Sequence, residues 1–285
     1  VQRVGLLAHL DKADAVEASN KVIRTLKEDG IQVYSPLEAI SSLSGVDGPL
    51  SDDLTRDLDV MIVLGGDGTF LRAARLTAGT GVPILGVNLG HLGFLTELEI
   101  GELDEGLQLL LQGKYQVEER MMLRVELKRR NQCLGVFLAL NDAVITRGPV
   151  ARIITLETTV DDQLVGNFAA DGMIIATPTG SSAYNLSAGG PVVNSQLAAL
   201  IITPICPHTL TATRSVLALP QERVRVKVKA MHTDIVLTVD GRCEATLEPE
   251  DEIWVCRAEE TTRVIKMMGR GFYEVLRNRL AHPEV

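Results

Sequence analysis

Apolar positions follow two rhythms over the first 115 residues. Residues 4–8, 59–64 (DVMIVL) and 83–87 are short continuous apolar runs, which predict strands buried on both faces. Val16, Ile23 and Leu26 recur at near-helical spacing and predict a helix over 13–28, closed by Gly30. Residues 31–34 predict a second strand, and 41–53, rich in Ser, Gly and Asp, a loop. A helix is predicted over 70–78, with Gly79 and Gly81 beyond its end, and an amphipathic one over 103–111, closed by Gly113. Strands alternating with helices predict a parallel, Rossmann-like sheet with helices on both faces.

Near Tyr115 the rhythm changes. Strand-length runs dominate at 123–128, 135–146, 153–160, 173–176, 224–229, 235–239 and 253–257. Turn signals such as Arg130-Asn131-Gln132 and Asp161-Asp162-Gln163 separate them. They predict an antiparallel β domain, sandwich or barrel-like. A last helix over 272–280 would return to the first domain. The expected domains are therefore 1–115 with 269–285, and 116–268.

The 285 residues suit two domains at about 150 residues each. Hydrophobic residues at 46% against 23% charged exclude a disordered chain. A net charge of −9 without a long basic run disfavours nucleic acid and anionic membranes, but not a compact anion met by local donors. No apolar run approaches the roughly 18 residues of a membrane span, and the N-terminal segment does not read as a signal peptide. Cys133, Cys206, Cys243 and Cys256 form no CxxC pair, which predicts free thiols in a reducing cytosol.

Chemistry gathers where the strands end. Gly65-Gly66-Asp67-Gly68-Thr69 follows one apolar run and precedes a helix, the place where α/β sheets hold ligands. Glycines let a phosphate approach the backbone, and a helix start supplies free N–H groups and a favourable dipole. The segment matches neither GxxxxGKS/T nor GxGxxG. Asp67 would repel phosphate unless it takes a proton from a hydroxyl or holds a divalent cation; the plainer alternative is a helix cap. Asn88 to Phe94 adds two glycines after the next strand, with His91 as an ordinary loop histidine. Asn141-Asp142 interrupts an apolar run; both side chains suit ribose hydroxyls, and a bulge would also explain them. Residues 171–193 crowd hydroxyls into a turn before a short helix, which suits an anion or an amide. Tyr184 would offer a flat face to a base or pack in the core. Asp240-Gly241 predicts a hairpin turn.

Taken in order, GGDGTFLRAAR (65–75), LGVNLGHLGFLTE (85–97), LNDAVITRG (140–148), DGMIIATPTGSSAYNLSAGGP (171–191), ITPICPHTL (202–210) and VDGR (239–242) closely resemble bacterial NAD kinases. GGDGT alone is shared with diacylglycerol and sphingosine kinases; TPTGSSAY with ND upstream is more specific. The resemblance implies an N-terminal Rossmann-like α/β domain and a C-terminal β-sandwich domain. It implies phosphorylation of the 2′-hydroxyl of the adenosine ribose of NAD, by ATP or polyphosphate, to give NADP. Asp67 would be the catalytic base, with Gly68 beside it and Arg72 facing phosphate. Asn141, Asp142, Arg152, Ala169, Asp171, Ser182, Ala183, Tyr184, Asn185, Leu186, Ser187 and Asp240 would bind substrate, Tyr184 by stacking. The resemblance also implies Mg²⁺ bridging the ATP phosphates, a homodimer or homotetramer, and a cytoplasmic location. Departures are small: the family often has Glu at Asp142, Thr at Ser182, a polar residue at Ala169 and Gln at Arg242.

Two rivals share part of this pattern. A lipid kinase would share GGDGT but should carry an apolar or basic membrane surface. A sensor that binds NAD without reacting would not need Asp67.

Overall fold

The computed structural model describes residues 1–10, 13–90, 93–148, 153–208, 214–229 and 235–281. Two compact units emerge: Val1–Glu119 with Thr261–Val285, and Arg120–Glu260.

The first unit is an α/β layer structure. Its elements are β1 (Arg3–Ala8), α1 (Ala13–Glu28), β2 (Gln32–Ser35), α2 (Leu37–Ile40), β3 (Gly48–Pro49), α3 (Asp52–Arg56), β4 (Val60–Leu64), α4 (Asp67–Thr77), β5 (Pro83–Asn88), β6 (Leu98–Glu99) and α5 (Leu103–Leu111). The strand order β5-β4-β1-β2-β3 is parallel throughout. Every residue of β4 is buried, which is why its sequence is apolar without alternation. Leu6, Val22, Leu26, Ile62, Leu85 and Leu107 meet in the core, so α1 and α5 bury their apolar stripes against the strands. Winding runs from β1 to β2 on one side, then resumes at β4 on the other. Such a switch point opens a crevice at the carboxyl ends of the strands. The stretch 41–53 is not all loop: it contains β3 and the start of α3, whose N-cap Ser51 accepts from Leu54 N.

The second unit is built of antiparallel strands. They are β7 (Gln116–Arg129), β8 (Gln132–Ala139), β9 (Asp142–Arg147), β10 (Ile154–Val160), β11 (Gln163–Ala170), β12 (Gly172–Ala176), β13 (Leu200–Ile205), β14 (Val216–Ala218), β15 (Val224–Val228), β16 (Ile235–Val239), β17 (Arg242–Leu247) and β18 (Glu252–Lys266), with the short helix α6 (Tyr184–Ser187) after β12. One sheet runs β14-β13-β12-β9-β16-β17; the other contains β11-β10-β15-β18 and the β7–β8 hairpin. Ile145 and Ile175 from the first sheet meet Leu156, Val226 and Ile253 from the second in one core, as in a sandwich. The apolar run 135–146 is two strands, because the chain turns at Leu140-Asn141.

Strands β7 and β18 cross the unit boundaries. The last part of β18 returns to the first unit, where Arg263 and Val264 pair in parallel with Pro83 and Ile84 of β5. Helix α7 (Phe272–Ala281) follows.

Candidate functional site

In the first unit a cavity of about 830 Å³ opens at the crevice. Its wall comes from the ends of β1 (Ala8, His9), β4 with the start of α4 (Gly65 to Thr69, Arg72), β5 (Asn88 to Gly90) and from Arg279 of α7. Gly66 is the N-cap of α4, so Asp67 is not its cap. The Asp67 carboxylate instead accepts from Phe94 N and Leu95 N, each at 3.1 Å. These bonds hold it at the mouth of the helix. Gly93 is needed for this: a Cβ there would lie 2.1 Å from Asp67 Oδ1.

Gly66 and Gly68 differ from Gly93. A Cβ at either would meet no described atom within 4 Å, and neither has a positive φ. The fold does not require glycine there; the open space lies at the start of α4, where free N–H groups suit an anion. Arg72, one turn on, lines the same cavity and pairs with Glu38, whose carboxyl it holds below the usual carboxylate range through their hydrogen bond.

The second unit holds the other candidates. Asp240 sits at the β16–β17 corner with φ 48°, followed by Gly241 at 74°, so the hairpin reading holds. The residue has a second task. Its carboxylate accepts from Leu140 N (2.8 Å), Asn141 N (2.7 Å) and Asp142 N (3.1 Å). Thr177 grips the same turn, donating from its hydroxyl to Leu140 O and from its N–H to Asn141 O. Gly180 packs against it so closely that a Cβ would lie 2.1 Å from Asn141 O.

The turn so clamped presents two costly groups. Asn141 Oδ1 is buried without a hydrogen-bond partner among the described residues. Asp142 is 4% exposed, and burial, then the nearby Asp240 carboxylate, push its pKa up to about 7. Hydrogen-bond donors from a ligand would satisfy both.

Asp171 accepts a two-pronged bond from Arg147, Nε at 2.7 Å and Nη2 at 3.3 Å, which holds its carboxyl below the usual range. Tyr184 is 44% exposed, so it is not a core residue. Ser182 donates to Thr179 O. Asn185 points the other way: fully buried, its amide donates to Ser181 O and Pro191 O and accepts from Thr203. Its side chain therefore braces the 181–191 loop. Ser187 is exposed, while Ala169 on β11, Ala183 and Leu186 are half-buried. Arg152 lies outside the described residues, as does His91.

Sequence reasoning did not single out His9, Arg279 or Arg147. His9 was findable, since it follows an apolar strand at its carboxyl end. Arg147 and Arg279 carry no local signal.

Three comparisons bear on this geometry. Residues 4–115 match the family model for the ATP-NAD kinase N-terminal domain, and 140–267 that for the C-terminal domain. The chain is 42% identical over 280 residues to a NAD kinase of Moorella thermoacetica, covering 98% of this chain and 89% of that protein. It is 42% identical over 287 residues to one of Syntrophotalea carbinolica, covering both in full. Its fold is similar to that of a yeast NADH kinase solved with NADH, at a TM-score of 0.91 and 26% identity, covering 100% of this chain and 89% of that one. A GGDGT crevice and an Asn-Asp turn with unspent polar groups, together with these matches over nearly the whole length, establish that the chain belongs to the NAD kinase family.

Proposed function

We propose that this chain transfers the γ-phosphoryl group of ATP to the 2′-hydroxyl of the adenosine ribose of NAD, giving NADP and ADP. The observation that carries the reading is the pairing, in one cavity, of the Asp67 carboxylate with glycines that the fold itself does not need. The ribose oxygen attacks the γ-phosphorus, the bond to the bridging oxygen of ADP breaks, and the hydroxyl proton passes to Asp67. The start of α4 and Arg72 receive donor phosphates. Asn141 and Asp142 accept hydrogen bonds from hydroxyl or amide groups of the dinucleotide, Asp171 adds a polar contact, and Tyr184 stacks on a ring. Asp240 acts by holding the Asn141-Asp142 turn in place.

No cluster of three or more His, Cys, Asp or Glu among the described residues could hold a metal. Among the described residues Asp67 is the carboxylate on the cavity wall, and it would be the residue to hold a divalent cation brought in with the donor. Mg²⁺ so bound would neutralise charge on the transferring group. No described helix is long and apolar enough to cross a membrane. Four free cysteines support a cytoplasmic setting, and the family supports a homodimer or homotetramer.

The test is NADP formation from NAD, ATP and Mg²⁺, read with an NADP-specific dehydrogenase. Wild type should turn over, and a folded Asp67→Asn should lose about 10²- to 10⁴-fold in kcat. Wild type that binds NAD but phosphorylates neither NAD nor NADH, with ATP or with polyphosphate, would overturn the reading.

A further inference from the structure

Among the described residues the crevice wall carries two arginines, Arg72 and Arg279, besides His9. Asp67 contributes a negative charge there, and the chain as a whole carries −9. Arg72 already shares its charge with Glu38. Among the described residues of the wall, the second arginine is Arg279, which α7 brings in.

The segment that launches α7 is fastened by one buried carboxylate. Glu97 is 1% exposed and accepts from Lys266 Nζ (2.5 Å), Met267 N (2.8 Å) and Met268 N (2.7 Å). Arg270 closes the latch, donating to Glu97 O at 2.8 Å and pairing with Glu102. Two residues later α7 begins. Glu97 ends the LGFLTE stretch, and the reaction described above gives it no task.

We propose that Arg279 binds phosphate oxygens of the nucleotide donor, and that Glu97 is the positioning residue that sets α7 so that Arg279 reaches the crevice. The inference rests on the donor reading above and deepens it. A polyanionic donor beside Asp67 is compensated better by two guanidiniums on the wall than by Arg72 alone. A guanidinium suits the task, because its planar fork donates two parallel N–H bonds to phosphate oxygens.

The test is ATP binding to the full chain by titration calorimetry, which needs no acceptor. Arg279→Gln should weaken ATP about tenfold or more, the loss of a charge-assisted bond. Arg279→Lys should fall between, since a point charge replaces the fork. Arg277→Gln, exposed on the same helix and off the crevice wall, should match wild type. In turnover, Arg279→Gln should raise KM for ATP and leave KM for NAD alone. Glu97→Gln should raise the same KM and add little to Arg279→Gln in the double variant. Wild-type ATP affinity in a folded Arg279→Gln, or equal loss in Arg277→Gln, overturns the proposal. Should Arg279→Gln not fold, wild-type affinity in Arg279→Lys overturns it. Full additivity of Glu97→Gln overturns the positioning part. Arg279-dependent ATP binding without NADP formation would instead sink the acceptor reading and leave this inference standing.

Discussion

Asp142 is protonated more readily than an ordinary carboxyl because burial penalises its charge and Asp240 repels it. The sign of the consequence follows from linkage. An unfolded Asp releases its proton near 3.8, and the folded one near 7. Between those values the native state holds a proton that the unfolded chain lacks, so stability falls as pH rises through the window. Above it the loss is complete, up to about 4 kcal/mol. Asp142→Asn removes this dependence. Its melting temperature should exceed that of wild type by more at pH 8 than at pH 5. Saturating NAD should narrow the gap by supplying donors to the carboxylate. A gap that ignores pH would show that Asp142 does not titrate this way. The residue identities at this turn were readable, but the raised pKa of Asp142 was not: it arises from burial first and then from Asp240, which lies far along the chain.

At the scale of the element, the turn between β4 and α4 separates two uses of glycine. Gly68 occupies the first turn of a helix with open space around it, so Gly68→Ala should leave the fold intact and gain up to about 1 kcal/mol from helix propensity. The added methyl stands where a phosphate would approach, so ATP affinity should drop while the melting temperature rises. Gly93→Ala should do something else, pushing the Asp67 carboxylate aside and lowering kcat without comparable loss of ATP affinity. Thermal melting and ATP titration on the two variants distinguish these outcomes; a destabilised Gly68→Ala would mean that the fold, not a ligand, demands that glycine. The strand-turn-helix itself was legible, since an all-apolar run ending in glycines and an aspartate has few other readings. Strands β11 and β17 were not, because their burial is broken and Gly166, Asn167, Arg242 and Glu244 dilute the alternation.

At the scale of the molecule, periodicity located an α/β part and a β part, but not the bonds that make the chain's later residues part of the first unit. Strand β18 shows no compositional break at Thr261, where it passes from one unit to the other. Its second half is nonetheless structural: Val264 is 2% exposed, Ile265 is fully buried, and Lys266 to Met268 satisfy Glu97. A chain ended after Glu260 loses all of these. Each apolar residue is worth about 1.5–3 kcal/mol, and a buried acceptor without partners costs about 1–3 more. That sum rivals the 5–15 kcal/mol, roughly, that holds a domain together. Hydrogen exchange should therefore find the amides of β5 and of 94–99 unprotected in that shortened chain. A chain ended after Gly271 keeps the strand pairing and the Glu97 bonds and, among the described residues, loses only α7. It should retain protection in β5 yet bind ATP more weakly, because Arg279 is gone. Equal protection in the two shortened chains would show that the returning strand is dispensable to the first unit, and wild-type ATP affinity after Gly271 would remove α7 from the crevice's chemistry.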